Sequence, residues 1–192
     1  RAVMGGGGTL IIPGFTSWRT DRLVLTNSAL EFPEGFSLEV EGDLVVSNKA
    51  ELVIRNGEVV CGGNVWVHGP TYATLKFFDR ARFACAGDFT VRNGGCFWTS
   101  AGITNADFPC FVFDLDVGNT FQLTSGGLFW PESHPTNVNC GAMRITARDF
   151  VVDEGTRIDG MGRGFQIAKQ AGIRGFGPGG AAGMVGASHA AR

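Results

Sequence analysis

Asp114-Leu115-Asp116 is where two carboxylates are spaced to act together. On an extended strand, residues i and i+2 point to the same side. Asp114 and Asp116 would therefore share one face, with Phe113, Leu115 and Val117 on the other. Paired carboxylates suit two chemistries, a Ca²⁺ site or an acid–base pair acting on a polysaccharide. Asp107 is nearby in sequence. Aspartate alternating with apolar residues is also the pattern of a strand with one solvated face, which needs no chemistry at all.

The aromatic residues suggest binding instead. Trp66 falls between Val65 and Val67 and should point outward from a strand whose valines point in. Trp98 follows Phe97, Trp130 follows Phe129, and Tyr72 and His68 lie close to Trp66. Exposed rings on a flat β-face stack on sugars or anchor an interface. The plainer expectation is that a loop or neighbouring domain covers them.

Other reactive groups offer less. His68 precedes Gly69-Pro70 and His134 sits between Ser133 and Pro135, with no nucleophile at a recognisable spacing. The cysteines are Cys61, Cys85, Cys96, Cys110 and Cys140, with no C-x-x-C pair and no histidine at zinc spacing, so no structural metal is expected. Cys96, Cys110 and Cys140 stand nearer corners, where pairing among them is open. Gly160-x-Gly162-x-Gly164 lacks both the dinucleotide spacing and a following helix pattern, which argues against a nucleotide site.

The elements that must position these residues repeat. Gly-Asp or Gly-Asn recurs at Gly42-Asp43, Gly63-Asn64, Gly87-Asp88 and Gly118-Asn119. Two residues before the first three glycines stand Val40, Cys61 and Cys85; four before stand Leu38, Val59 and Phe83. Upstream, Leu30 and Phe32, Leu52 and Ile54, and Leu75 and Phe77 form a second series. Downstream, Leu44 and Val46, Val65 and Val67, and Phe89 and Val91 form a third. Alternation with period two predicts short strands with one buried face. The spacings 63 − 42 = 21 and 87 − 63 = 24 suit one turn of a three-sided parallel β-helix. Cys61 and Cys85 then occupy one inward slot of successive rungs, as buried thiols acting as small hydrophobes.

The next spacing, 118 − 87 = 31, predicts an insertion, at Asn93-Gly94-Gly95 or within Thr99 to Pro109. Phe121 and Leu123 sit one residue out of phase with their glycine, so a bulge or shifted corner is expected there. An earlier rung is predicted at Thr9 to Ile12 and Leu23 to Leu25, and a fifth at Met143 to Ile145, Phe150 to Val152 and Ile158. The alternative all-β fold is a sandwich of antiparallel hairpins.

Composition narrows the function. A formal net charge of −2 and the absence of a long basic run disfavour nucleic acid. A hydrophobic content of 44% excludes disorder, and no apolar stretch is long enough for a membrane helix. The chain opens on Arg1, with no secretory signal, so a mature product or a segment of a larger polypeptide is expected. The expected organisation is rungs over 1–154 and a glycine-rich extension or cap over 155–192.

Val151-Val152-Asp153-Glu154-Gly155-Thr156-Arg157-Ile158-Asp159-Gly160-Met161-Gly162, the later Gly177-Pro178-Gly179-Gly180 and Ser188-His189 carry a resemblance. This run is similar to the glycine-rich segments of large exported right-handed parallel β-helix proteins, autotransporter-like surface proteins among them. Ala190-Ala191 departs from the glycines usual at that end. The resemblance implies an extracellular or cell-surface location. With the repeat and the lack of a convincing catalytic set, the glycine-rich end favours a structural or adhesive module, and open strand edges at its two ends predict flanking domains or partner subunits. Two alternatives remain. One is a polysaccharide-active lyase or hydrolase using Asp114 and Asp116; no cofactor is expected, and Ca²⁺ is the one left open. The Asn-x-Asp, Asp-Asp and Arg-x-x-Arg sets of such enzymes do not form a convincing group here. The other is a glycan-binding module using Trp66, Trp98, Trp130 and Tyr72.

Overall fold

The computed structural model describes residues 2–4, 9–11, 14, 16–107, 111–132 and 142–160. Cys110, His134, Cys140 and the glycine-rich stretch beyond Gly160 lie outside them.

The described residues form strands and no helix. In chain order the strands are β1 (Ala2–Met4), β2 (Thr9–Ile11), β3 (Ser17–Thr20), β4 (Leu23–Thr26), β5 (Ala29–Glu31) and β6 (Ser37–Val40). Next come β7 (Leu44–Ser47), β8 (Glu51–Arg55), β9 (Glu58–Cys61), β10 (Val65–His68), β11 (Ala73–Asp79) and β12 (Ala81–Cys85). The last six are β13 (Phe89–Arg92), β14 (Gly95–Ala101), β15 (Phe111–Thr124), β16 (Leu128–Glu132), β17 (Ala142–Val152) and β18 (Arg157–Ile158).

Every described pairing is parallel, so the antiparallel hairpins of a sandwich are not found among these residues. Each early strand pairs with the one three elements later. One sheet runs β2-β5-β8-β11-β14-β16-β18; the other runs β1-β4-β7-β10-β13-β15-β12-β9-β6-β3, with β17 on β15. The long strand β15 joins two ladders into one sheet, because its first half pairs β12 and its second half pairs β13.

Alternation does what the sequence requires. Leu38, Val40, Val59, Cys61, Phe83 and Cys85 are buried, while Glu41, Arg82, Ala84 and Ala86 are exposed. Leucines, valines and phenylalanines from both sheets meet in a single core. Its phenylalanines touch in series: Phe89 stacks on Phe121 at 5.4 Å and Phe97 on Phe129 at 5.0 Å. Burying one such side chain stabilises by about 1.5–3 kcal/mol. Cys61 and Cys85 pair directly across parallel strands as buried free thiols.

The Gly-Asp/Gly-Asn motif has a specific cause. Asp43 Oδ1 accepts the backbone N–H of Asn64 at 2.9 Å, Asn64 Oδ1 accepts that of Asp88 at 2.9 Å, and Asp88 Oδ1 accepts that of Thr120 at 3.2 Å. Each side chain reaches past the glycine of the neighbouring strand connection. A Cβ on Gly63 would lie 2.6 Å from Asp43 Oδ1, and one on Gly87 would lie 2.3 Å from Asn64 Oδ1. The glycine and the Asp or Asn are thus one device, repeated.

Two expectations are corrected. Phe121 is not out of phase: Val117 pairs Cys85 and Phe121 pairs Phe89, so the apolar rows keep step without a bulge. What moved is the glycine. Asn119 takes the place of Gly87, donating its N–H to the Gly87 carbonyl, and Gly118 packs against Ala86 instead. The bulge falls between β15 and β17, where the register shifts between Val117 and Thr120. The insertion is not at Asn93-Gly94-Gly95. That corner has two residues between Arg92 and Gly95, whereas its counterpart has four between His68 and Ala73. The extra length follows Ala101, in the stretch from Thr99 to Pro109, the other expected place. Ala101 pairs Asp79 and Phe113 pairs Ala81, so the chain is longer there than the single residue Arg80 between Asp79 and Ala81.

Candidate functional site

Asp114 and Asp116 lie on the outward side of β15, beside Arg82 and Ala84 of β12. Asp114 is engaged. Arg144 of β17 stands directly opposite it, with Nε 2.8 Å from Asp114 Oδ1 and a second contact from the other guanidinium nitrogen to Oδ2. The carboxylate in turn raises the Arg144 pKa. Asp116 is exposed and pairs with Thr146. No group of three or more metal-ligating side chains occurs among the described residues.

The tryptophans fall on different sheets. Trp66 is on β10 of the larger sheet, between Val45 and Thr90, with the Arg92 guanidinium 4.9 Å from its ring centre. Trp98 and Trp130 are on β14 and β16 of the smaller sheet, paired in register and edge-on at 5.6 Å. They are held in an outward row that also contains Val53 and Lys76. Lys76 Nζ lies 4.9 Å from the Trp98 ring and 2.6 Å from Glu51 Oε2. Phe78 touches the edge of Trp98 at 6.0 Å, and Arg55 covers Phe78 at 4.5 Å. Trp66, Trp98 and Trp130 are half-buried, and a cation lies against the rings of Trp66 and Trp98.

Tyr72 differs. It is 70% exposed and stands at the mouth of a groove of about 670 Å³ between the two sheets. His68 lies on β10 next to Arg92, and burial first, then the Arg92 charge, lowers its pKa. The buried pair Cys61 and Cys85 is chemically quiet. Each Sγ faces backbone carbonyls, Gly42 and Asn64 for Cys61, Gly63 and Asp88 for Cys85. Their mutual contact, then burial, pushes the Cys85 thiol up.

The sequence reading missed the Asp114–Arg144 pair and the groove. The signal for the groove was present in the turns that follow β13, β15 and β17, at Asn93-Gly94, Ser125-Gly126 and Glu154-Gly155. Comparison with known proteins gives no match to a family model, a curated protein or a solved structure.

Proposed function

We propose that the chain is a non-catalytic structural and adhesive module of a larger exported surface protein, built as a right-handed parallel β-helix. The observation that carries the reading is the three-element period of pairing. The series β2-β5-β8-β11-β14, β3-β6-β9-β12-β15 and β1-β4-β7-β10-β13 are each parallel and in register, as a coil of three strands per turn requires. Parallel crossovers within one sheet are right-handed with few exceptions. Each rung lies about 4.8 Å from the next.

The last two described strands, β17 and β18, support partners at the ends. Phe150 continues the row of Phe89 and Phe121, yet it is 54% exposed, and Val152 and Ile158 are similarly open. An edge of this kind pairs readily with further chain or another subunit. No helix among the described residues is long and apolar enough to cross a membrane.

Against the enzyme reading, Asp114 is committed to Arg144, leaving Asp116 without a second uncommitted carboxylate in its pair. The test is incubation of the full chain with acidic polysaccharides, with and without Ca²⁺, beside Asp114→Asn and Asp116→Asn. No turnover by any form is expected. Turnover by the wild type that either substitution abolishes would overturn the reading.

A further inference from the structure

The connection after β10 is two residues longer than its in-register counterpart after β13, and the difference shapes the surface. Thr74 pairs Cys96, Cys96 pairs Leu128 and Leu128 pairs Arg157. Counting back two residues from each places Tyr72, Gly94, Gly126 and Gly155 in one column. Tyr72 heads that column, and the three positions below it carry no side chain.

The three glycines are fixed by backbone, and Gly94 also by room, since a Cβ there would lie 2.8 Å from the Gly69 carbonyl oxygen. All have left-handed φ, +79° at Gly94, +77° at Gly126 and +77° at Gly155. An added Cβ at Gly126 or Gly155 would meet nothing within 4 Å, so the floor is open. The result is the groove of about 670 Å³, with Pro70 to Tyr72 at one end and Thr156 and Arg157 at the other. Its volume is that of a small-ligand site. Its length, three strand spacings, is roughly 14 Å.

The lining is chemically one-sided. Of the described residues that line the groove, Arg157 alone is charged, and it has no ion-pair partner among the described residues. Glu154 is exposed at the same corner but does not line the groove. Tyr72 presents the most exposed large apolar side chain of the described residues. An exposed phenol ring stacks on the apolar face of a sugar, and a guanidinium takes a carboxylate in a two-pronged contact. A bare glycine floor lets a linear ligand approach backbone amides and carbonyls closely.

We infer that this groove binds an acidic oligosaccharide lengthwise, with one sugar stacked on Tyr72 and a carboxylate held by Arg157. The inference deepens the adhesive reading and rests on it. A nucleic acid fits poorly, because a single cation lines the site.

The test is calorimetric titration of the full chain with tetragalacturonate, with maltotetraose as the neutral control. The wild type should bind the acidic ligand at least about tenfold more tightly than the neutral one, a difference near 1.4 kcal/mol. Tyr72→Ala and Arg157→Gln should each weaken binding about tenfold or more, with unchanged circular dichroism. Gly126→Asn, in which asparagine tolerates the left-handed backbone, should block the floor and also weaken binding. Trp66→Ala should leave it unchanged. Absence of binding by the wild type, equal binding of the neutral ligand, or wild-type affinity in both Tyr72→Ala and Arg157→Gln would overturn the inference, while the coil would still stand. Cleavage of the bound ligand would uphold the groove and overturn the non-catalytic reading instead.

Discussion

Asn64 Oδ1 accepts the backbone N–H of Asp88 at 2.9 Å, tying the connection after β9 to the one after β12. Asp43 makes the same bond to the N–H of Asn64, and its Oδ1 also accepts from the Asn64 amide at 3.3 Å. The column thus reads Asp43, Asn64, Asp88, with a neutral side chain between two carboxylates. That order supplies acceptors at each step without stacking like charges.

Removing the central member should be costly. Asn64→Ala leaves the Asp88 N–H without its acceptor, and a loss of about 1–3 kcal/mol is expected in urea unfolding. Gly87→Ala should cost a similar amount, because the new Cβ meets Asn64 Oδ1 at 2.3 Å and the Gly63 carbonyl at 2.9 Å. Asn64→Asp keeps the acceptor but places three carboxylates in a row. Like-charge repulsion among them disfavours the ionised forms in the folded state, so the deficit relative to the wild type should be largest at neutral pH. That deficit should shrink as pH falls toward the carboxylate range near about 4. A pH-independent effect of Asn64→Asp would contradict this account.

The core should respond very differently from the open edge. Phe97 is fully buried against Phe77, Phe89 and Phe129, so Phe97→Ala should cost about 3–5 kcal/mol. Phe150, which sits in an equivalent inward row but is half exposed, should cost clearly less on the same change. Equal losses in denaturant midpoint would show that Phe150 is covered in solution.

Cys61 and Cys85 should behave as packing, not as reagents. Their thiols should react with Ellman reagent only as the chain unfolds. The double change Cys61→Val and Cys85→Val continues the flanking valines, Val40 and Val117, and should shift stability by less than about 1.5 kcal/mol. Rapid labelling of either thiol under native conditions would be the contrary result.

His68 gives a pH dependence of definite sign. Its folded pKa lies below 6.5, through burial and then Arg92, with Ser47 on the other neighbouring strand. Between the folded value and 6.5 the unfolded chain binds more protons, so stability there rises with pH. Acidifying from about pH 7.5 to about 5.5 should lower the melting temperature. His68→Asn should flatten that slope, and an unchanged slope would assign it to another group.

Strand positions were legible because alternation survives any packing detail: Leu38, Val59 and Phe83 had to face one way once they were strands. The all-β character, with strands in parallel register, followed from the shared phase of the glycines. The site was less legible, since its features depend on differences between levels. Arg144 meets Asp114 across 30 residues of sequence, and no local pattern marks that pair. Tyr72 looked like an extension of Trp66, yet the four-residue corner carries it off the sheet. The displaced glycine at Gly118 misled the phase because Asn119 took over its place while the apolar rows did not move.

The proposed stack is tested most directly by distance. Arg19, Glu39, Val60, Ala84, Asp116 and Thr146 occupy one outward row, each paired with the next. Nitroxides placed pairwise at Thr146 with Val60, Glu39 or Arg19, through a non-cysteine linkage, should show backbone separations of about 14, 19 and 24 Å by pulsed electron resonance. A linear series with equal steps is the predicted result. Distances that fail to grow, or grow in unequal steps, would contradict a chain built as one coil of parallel rungs.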